Sequence, residues 1–279
     1  IRARPGALSR IIRAHASPYA PPMPYENLVL VLLALIAGLL AVLFRELRAG
    51  HRDAVRQAEE TRARLAPERR RLFGQIATWL SLRDRLDLRQ GLPYSHNWSA
   101  APDFLAEIVD HALAARPATI VECSSGLTTL MLARCCEMNG QGRVWSLENG
   151  PEYAARTRAE IARYGLEGRA EVIDAPLVTY TLAGRDYLWY GLAGLPEQAI
   201  DMLVIDGPPG FIQRHARYPA LPLLSDRLAD VCTVFLDDAA RPDERAIVAW
   251  WREALPGAQV RFVDNERGCA ILRLSRPER

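Results

Sequence analysis

Val121-Glu122-Cys123-Ser124-Ser125-Gly126-Leu127-Thr128-Thr129 passes from a short apolar strand, through three small residues, into a helix. Working outward, the same alternation recurs. Strands are expected at Ala118–Cys123, Arg143–Glu148, Ala170–Ile173, Asp201–Asp206 and Val231–Asp237. Amphipathic helices are expected at Asp103–Ala115, Thr128–Met138, Pro151–Gly165, Pro219–Ala229 and Asp243–Ala254. Short strands alternating with helices predict a doubly wound α/β fold, a mostly parallel sheet covered on both faces. The end of the chain differs: Gln259–Val263 and Cys269–Leu274, joined by Asp264-Asn265-Glu266-Arg267-Gly268, predict an antiparallel hairpin.

The 279 residues suffice for one full-sized domain plus an appendage, and 49% apolar residues can build a core. A net charge of +2 argues against nucleic acid as a partner. All 35 basic residues are arginine. No lysine is therefore available as a base or Schiff-base former, and arginine does not deprotonate to replace it. Five cysteines, Cys123, Cys135, Cys136, Cys232 and Cys269, show no C-x-x-C spacing. Buried free thiols in a reducing compartment are expected.

Leu28–Phe44 is an unbroken run of 17 apolar residues, LVLVLLALIAGLLAVLF. As a helix rising about 1.5 Å per residue it is near the lower limit for a bilayer core. A cleaved signal peptide is the competing reading, but Arg45, Glu46 and Arg48 follow where small residues would mark a cleavage site. Arg45, Arg48, Arg52, Arg56, Arg62 and Arg64 lie on the C-terminal side, against Arg2, Arg4, Arg10 and Arg13 on the other. That asymmetry predicts a single-pass anchor in the inner membrane with the C-terminal domain in the cytosol. Met23 offers an alternative translation start, which would leave residues 1–22 untranslated. The expected organisation is a tail over 1–27, a transmembrane helix over 28–44, a helical stalk over 45–92 and the α/β domain over 93–279. Pro67 is expected to break the stalk. Its arginines suit either anionic headgroups or a solvated helix face with i,i+4 pairs such as Glu60 and Arg64.

A ligand of an open α/β sheet lies beyond the carboxyl ends of the strands, so the turn at 124–126 must let backbone approach it. Glu122 is foreign to a dinucleotide fingerprint, in which glycines receive a pyrophosphate. Glu148 ends the second strand, where a carboxylate can accept two hydroxyls at once or cap the following helix. Asp174 follows the third strand, either at the site or as an ordinary loop residue. Asp201-Met202-Leu203-Val204-Ile205-Asp206-Gly207-Pro208-Pro209-Gly210 puts Asp206 at the exit of the central strand. Phe235-Leu236-Asp237-Asp238-Ala239 brings two more carboxylates to the exit of the next. Arg214, His215 and Arg217 follow the Gly-Pro-Pro-Gly turn and suit an acidic group or a solvated surface. His96 and Trp98 are candidates for a lid, and Tyr187, Trp189 and Tyr190 read as packing more than as a substrate platform.

These motifs, in this order, resemble the class I methyltransferases over about residues 95–275. The group resembled is related to the catechol and caffeoyl-CoA O-methyltransferases. Glu122 to Thr128 is similar to motif I, E-x-G-x-G-x-[ST], with Ser124 in place of the first glycine. The resemblance implies a seven-stranded sheet and binding of S-adenosylmethionine by Glu122, Ser124, Gly126, Glu148, Asp174 and Asp206. It also implies Mg²⁺ or another divalent cation on Asp206, Asp237 and Asp238. Asp206, Asp237 and His215 are then the candidate catalytic residues. Asp238 stands where the family has Asn, and the family's lysine after the fourth strand is absent. The expected function is O-methylation of a hydroxylated small molecule, glycan or glycolipid precursor. The alternatives are N-methylation and a membrane-tethered binding or scaffold protein without turnover.

Overall fold

The computed structural model describes residues 25–89, 91 and 99–275. The chain divides into two units, Ile1–Pro67 and Glu68–Arg279. His96, Asn97, Trp98 and the Met23 start lie outside the described residues.

Within the first unit, the described residues are all helical. They belong to α1, Tyr25–Arg85, which is long and apolar enough to cross a membrane, and none of its most apolar window is buried. Pro67 lies inside this helix instead of breaking it. A proline removes one backbone hydrogen bond and costs about 3 kcal/mol. Ala63-Arg64-Leu65-Ala66 before it and Glu68-Arg69-Arg70-Arg71-Leu72 after it are all good helix formers that carry the remaining bonds past it.

The second unit includes the last turns of α1. Gln75 Nε2 donates to Asp103 Oδ2 at 2.7 Å, and Leu82, Leu86 and Leu88 are buried in the main apolar cluster. This stretch was expected to be stalk; Leu82, Leu86 and Leu88 belong to the core, whereas Leu72, Phe73, Ile76 and Leu80 are exposed. The elements that follow are α2 (Pro102–Ala115), β1 (Thr119–Cys123), α3 (Leu127–Asn139), β2 (Arg143–Glu148), α4 (Pro151–Arg163), β3 (Ala170–Asp174), β4 (Leu177–Leu182), β5 (Arg185–Tyr190) and β6 (Ile200–Ile205). Then come α5 (Ala220–Leu224), a 3-10 turn over Ser225–Arg227, β7 (Leu228–Leu236), α6 (Pro242–Ala254), β8 (Gln259–Val263) and β9 (Cys269–Ser275).

Seven strands form one sheet in the order β3-β2-β1-β6-β7-β9-β8. The first five of that order run parallel, β9 lies antiparallel to β7, and β8 pairs antiparallel with β9. This is the predicted seven-stranded, mostly parallel sheet with its terminal hairpin. Every residue of β1 is buried, as a central parallel strand covered by helices on both faces requires.

Two elements differ from the sequence reading. The helix expected over Pro219–Ala229 ends at Leu224, and Leu228 and Ala229 already belong to β7. Leu228 pairs with Ile200 in the parallel ladder, so sheet pairing outweighs helical propensity there. Between β3 and β6, a separate antiparallel ribbon of β4 and β5 turns at Ala183-Gly184, where both residues have positive φ. A two-residue turn of that kind matches the twist of a hairpin. It carries Tyr187, Trp189 and Tyr190 into the core, where all three are buried.

Chain order reverses between β1 and β6, whose exits lie side by side, with Cys123 opposite Ile205. A switch point of that kind opens a crevice at the carboxyl ends of the strands. The five carboxylates singled out beyond Glu122 all lie at those ends.

Candidate functional site

The loop after β1 is held from below by Glu122. Its carboxylate is fully buried and accepts hydrogen bonds from the hydroxyls of Thr128, Thr129 (2.6 Å) and Ser146 (2.7 Å). Thr129 Oγ1 in turn accepts the Gly126 N–H at 3.0 Å, so the acid fixes the turn through the start of α3. Burial outweighs these donors and pushes the Glu122 carboxyl up to about 7. The residue was expected beside a ligand; the structure makes it the anchor under the loop.

Above it, the backbone takes unusual conformations. Ser124 has φ 120° and Gly126 φ 146°, a region that costs any residue with a side chain about 1–3 kcal/mol. A Cβ built on Gly126 meets nothing within 4 Å, so the loop faces open space. At Gly207, by contrast, a Cβ would lie 2.2 Å from the Tyr190 hydroxyl and 3.2 Å from the Cys123 carbonyl. Only glycine lets the exits of β1 and β6 and the hairpin tyrosine approach this closely.

Glu148 ends β2 and is 8% exposed. Oε2 accepts from Ser125 Oγ at 2.8 Å, and Oε1 from the Gly150 N–H at 2.8 Å. Thr157 Oγ1, from α4, lies 3.1 Å from Ser125 Oγ and completes the set. An ionised carboxylate has about four acceptor positions, so two remain for a ligand. Asp174 ends β3 opposite Glu148 and is ion-paired with Arg158 at 2.7 Å, its side chain mostly exposed.

The exits of β6 and β7 bring Asp206, Asp237 and Asp238 together, with one carboxylate oxygen of each within 4.8 Å of the others. The three were expected to converge, and they do. What sequence reasoning missed is Arg217, grouped there with Arg214 and His215 as a ligand contact or solvated surface. Its guanidinium is buried among the carboxylates. Nη2 lies 3.1 Å from Asp206 Oδ1 and 2.7 Å from Asp238 Oδ2, and Nη1 donates to the Asp237 carbonyl at 2.7 Å. Burial opposes its charge, but Asp206, Asp238, Asp237 and Glu244 outweigh that and hold it protonated.

Arg241 also reaches Asp238, at 2.9 Å. Both Asp237 oxygens and Asp238 Oδ1 are buried without a hydrogen-bond partner. Burial, then the neighbouring Asp206 and Asp238, push the Asp237 carboxyl well above the usual range; burial pushes Asp206 to about 6. His215 turns elsewhere. Its ring packs 4.6 Å from Trp250, its Nε2 is 3.7 Å from Asp243, and it is not part of the carboxylate group. All five cysteines are free and buried, as expected.

Residues 121–239 match the family model described as a methyltransferase domain. No curated protein matches the chain in sequence. Among solved structures, a protein of Staphylococcus aureus described as a candidate caffeoyl-CoA O-methyltransferase superposes with a TM-score of 0.50 at 13% identity. The match covers 71% of this chain and 92% of that one. An O-methyltransferase from Bacillus cereus, solved in complex with SAH, gives a TM-score of 0.47 at 16% identity over 71% of this chain and 91% of its own. The fold is that of the class I methyltransferases. The residues that match this family model span both the loop after β1 and the carboxylates after β6 and β7.

Proposed function

We propose that the protein is an S-adenosylmethionine-dependent O-methyltransferase, tethered to the inner membrane by residues 28–44 with its catalytic domain in the cytosol. The observation that carries the reading is Glu148. It is a nearly buried carboxylate at the end of β2, oriented by Ser125 and Gly150, with two acceptor positions left beside a loop that faces open space. A pair of ribose hydroxyls suits those positions, as does the exposed Asp174 beside it for the adenine amino group. When bound, S-adenosylmethionine supplies an electrophilic methyl group on a sulfonium.

Ser124 and Gly126 give the backbone approach that such a ligand needs, and Glu122 keeps that backbone in place. Asp206, at the exit of β6, would take the hydroxyl proton as the new O–CH₃ bond forms and the S–CH₃ bond breaks. His215, seated on Trp250 and Asp243, is the second candidate base.

The carboxylate group also fits a divalent cation. Its donors are hard oxygens, and Asp237 offers two of them with no other partner. Asp206, Asp237 and Asp238 would hold the ion, which would polarise the acceptor hydroxyl. The anchor favours an acceptor that is itself at the membrane, a glycan or glycolipid precursor or another hydroxylated small molecule.

The test is calorimetry of the full chain in detergent with S-adenosylmethionine and S-adenosylhomocysteine. Stoichiometric binding is expected. A correctly folded protein that binds neither overturns the assignment.

A further inference from the structure

Arg217 joins two loops that carry the carboxylate group. From the loop after β6 it contacts Asp206 twice, at the carbonyl (2.8 Å) and at Oδ1 (3.1 Å). From the loop after β7 it contacts the Asp237 carbonyl (2.7 Å) and Asp238 Oδ2 (2.7 Å). Its side chain is 4% exposed, whereas that of Arg241, the other arginine on Asp238, is 52% exposed. The buried guanidinium therefore sits between Asp206 and Asp238, and Asp237 is left with both oxygens unpartnered.

We propose that Arg217 is a positioning residue that sets the cation affinity of this carboxylate group. Fixed between Asp206 and Asp238, it takes up part of their charge and one oxygen of each, so a divalent ion centred on Asp237 binds weakly and exchanges readily. The inference rests on the reading above that the group accepts a divalent cation.

Two physical points support it. A guanidinium cannot give up its proton, so its charge is permanent. Water screens poorly in a buried site, so a dication bound to the same carboxylates feels that charge strongly. An exposed arginine such as Arg241 is screened and does this only weakly. The bonds to the Asp206 and Asp237 carbonyls also fix the two loop exits to one another, a structural effect of opposite sign that the variants below separate from the charge effect.

Mn²⁺ is the probe, with free ion counted by electron paramagnetic resonance on the full chain in detergent, and circular dichroism confirming the fold of each variant. The wild type is expected to bind one weakly held Mn²⁺. Arg217→Gln is expected to bind it about tenfold or more tightly, which is about 1.4 kcal/mol. Arg217→Lys keeps a charge but not all four contacts, and is expected to fall between the two. Asp237→Asn should remove binding in either background. A merely structural arginine predicts the reverse, since loosening the loops weakens a site.

Equal or weaker Mn²⁺ binding by Arg217→Gln overturns the inference while leaving the cation site itself standing. Should that variant not fold, an affinity of folded Arg217→Lys at or below wild type overturns it equally. If no variant and no wild type binds Mn²⁺, the cation reading falls and this inference with it.

Discussion

Ser125 Oγ donates to Glu148 Oε2 at 2.8 Å, and through that bond the loop after β1 and the end of β2 become one surface. Neither residue is adjacent to the other in the chain; the parallel pairing of β1 with β2 brings them there. Glu148→Ala removes a charge-assisted acceptor from the proposed cofactor cleft. It should weaken S-adenosylmethionine binding by about 1.5–3 kcal/mol. Ser125→Ala should cost less, because it misorients the carboxylate without removing it. Calorimetry compares the two, and wild-type affinity in Glu148→Ala removes Glu148 from the site.

Ser124 holds φ 120° where a glycine would sit without strain. Ser124→Gly should raise the unfolding free energy by about 1 kcal/mol, the relief of strain exceeding the added chain entropy of glycine. Thermal unfolding measures it. A lower melting temperature for the variant would show that the serine side chain contributes more than its backbone costs.

Stability should fall as pH rises through the range set by Glu122. Its folded carboxyl titrates at about 7, against 4.5 ordinarily, so between those values the folded state holds a proton that the unfolded state has lost. The contribution is complete below about 4.5 and gone above about 7, with a size of about 3 kcal/mol at most. Glu122→Gln should flatten that part of the pH profile, as followed by urea unfolding. An unchanged slope in the variant would assign the dependence to other groups.

Asp237 is a buried carboxylate with no hydrogen-bond partner, facing two others. Without divalent ions, Asp237→Asn should unfold at a higher temperature than wild type, by about 1 kcal/mol or more in stability. Added Mg²⁺ should then raise the melting temperature of the wild type and leave the variant unmoved. Identical Mg²⁺ responses would exclude Asp237 as a ligand.

The proposed anchor makes a separate prediction. A reporter active only outside the cytosol, fused after Arg279, should stay silent, and a cytosol-active reporter should give signal. The opposite pattern would overturn the proposed topology and place the domain away from the proposed methyl donor.

The alternation of apolar strands with amphipathic helices was enough to determine the sheet, because burying a strand on both faces imposes a hydrophobic run that local sequence shows directly. The small residues after Glu122, and the carboxylates that close β2, β6 and β7, were legible for a similar reason. In a parallel sheet, the residue after each strand falls on the same edge. The apolar run of α1 was legible from length and composition alone.

Other features depended on contacts between distant segments. Pro67 reads locally as a break, but the strong helix formers on both sides carry α1 through it. Leu228 reads as the end of a helix, but Ile200 pairs with it in the sheet. Glu122 reads as a ligand residue, until Thr128, Thr129 and Ser146 are found satisfying it in the interior. Nothing near Arg217 distinguishes it from Arg214, yet one is exposed beside Asp243 and the other is buried among three aspartates. Sequence fixes where along the chain a charge lies. Only the packed strands decide which charges meet out of water, where pairing is strong enough to set what the site can bind.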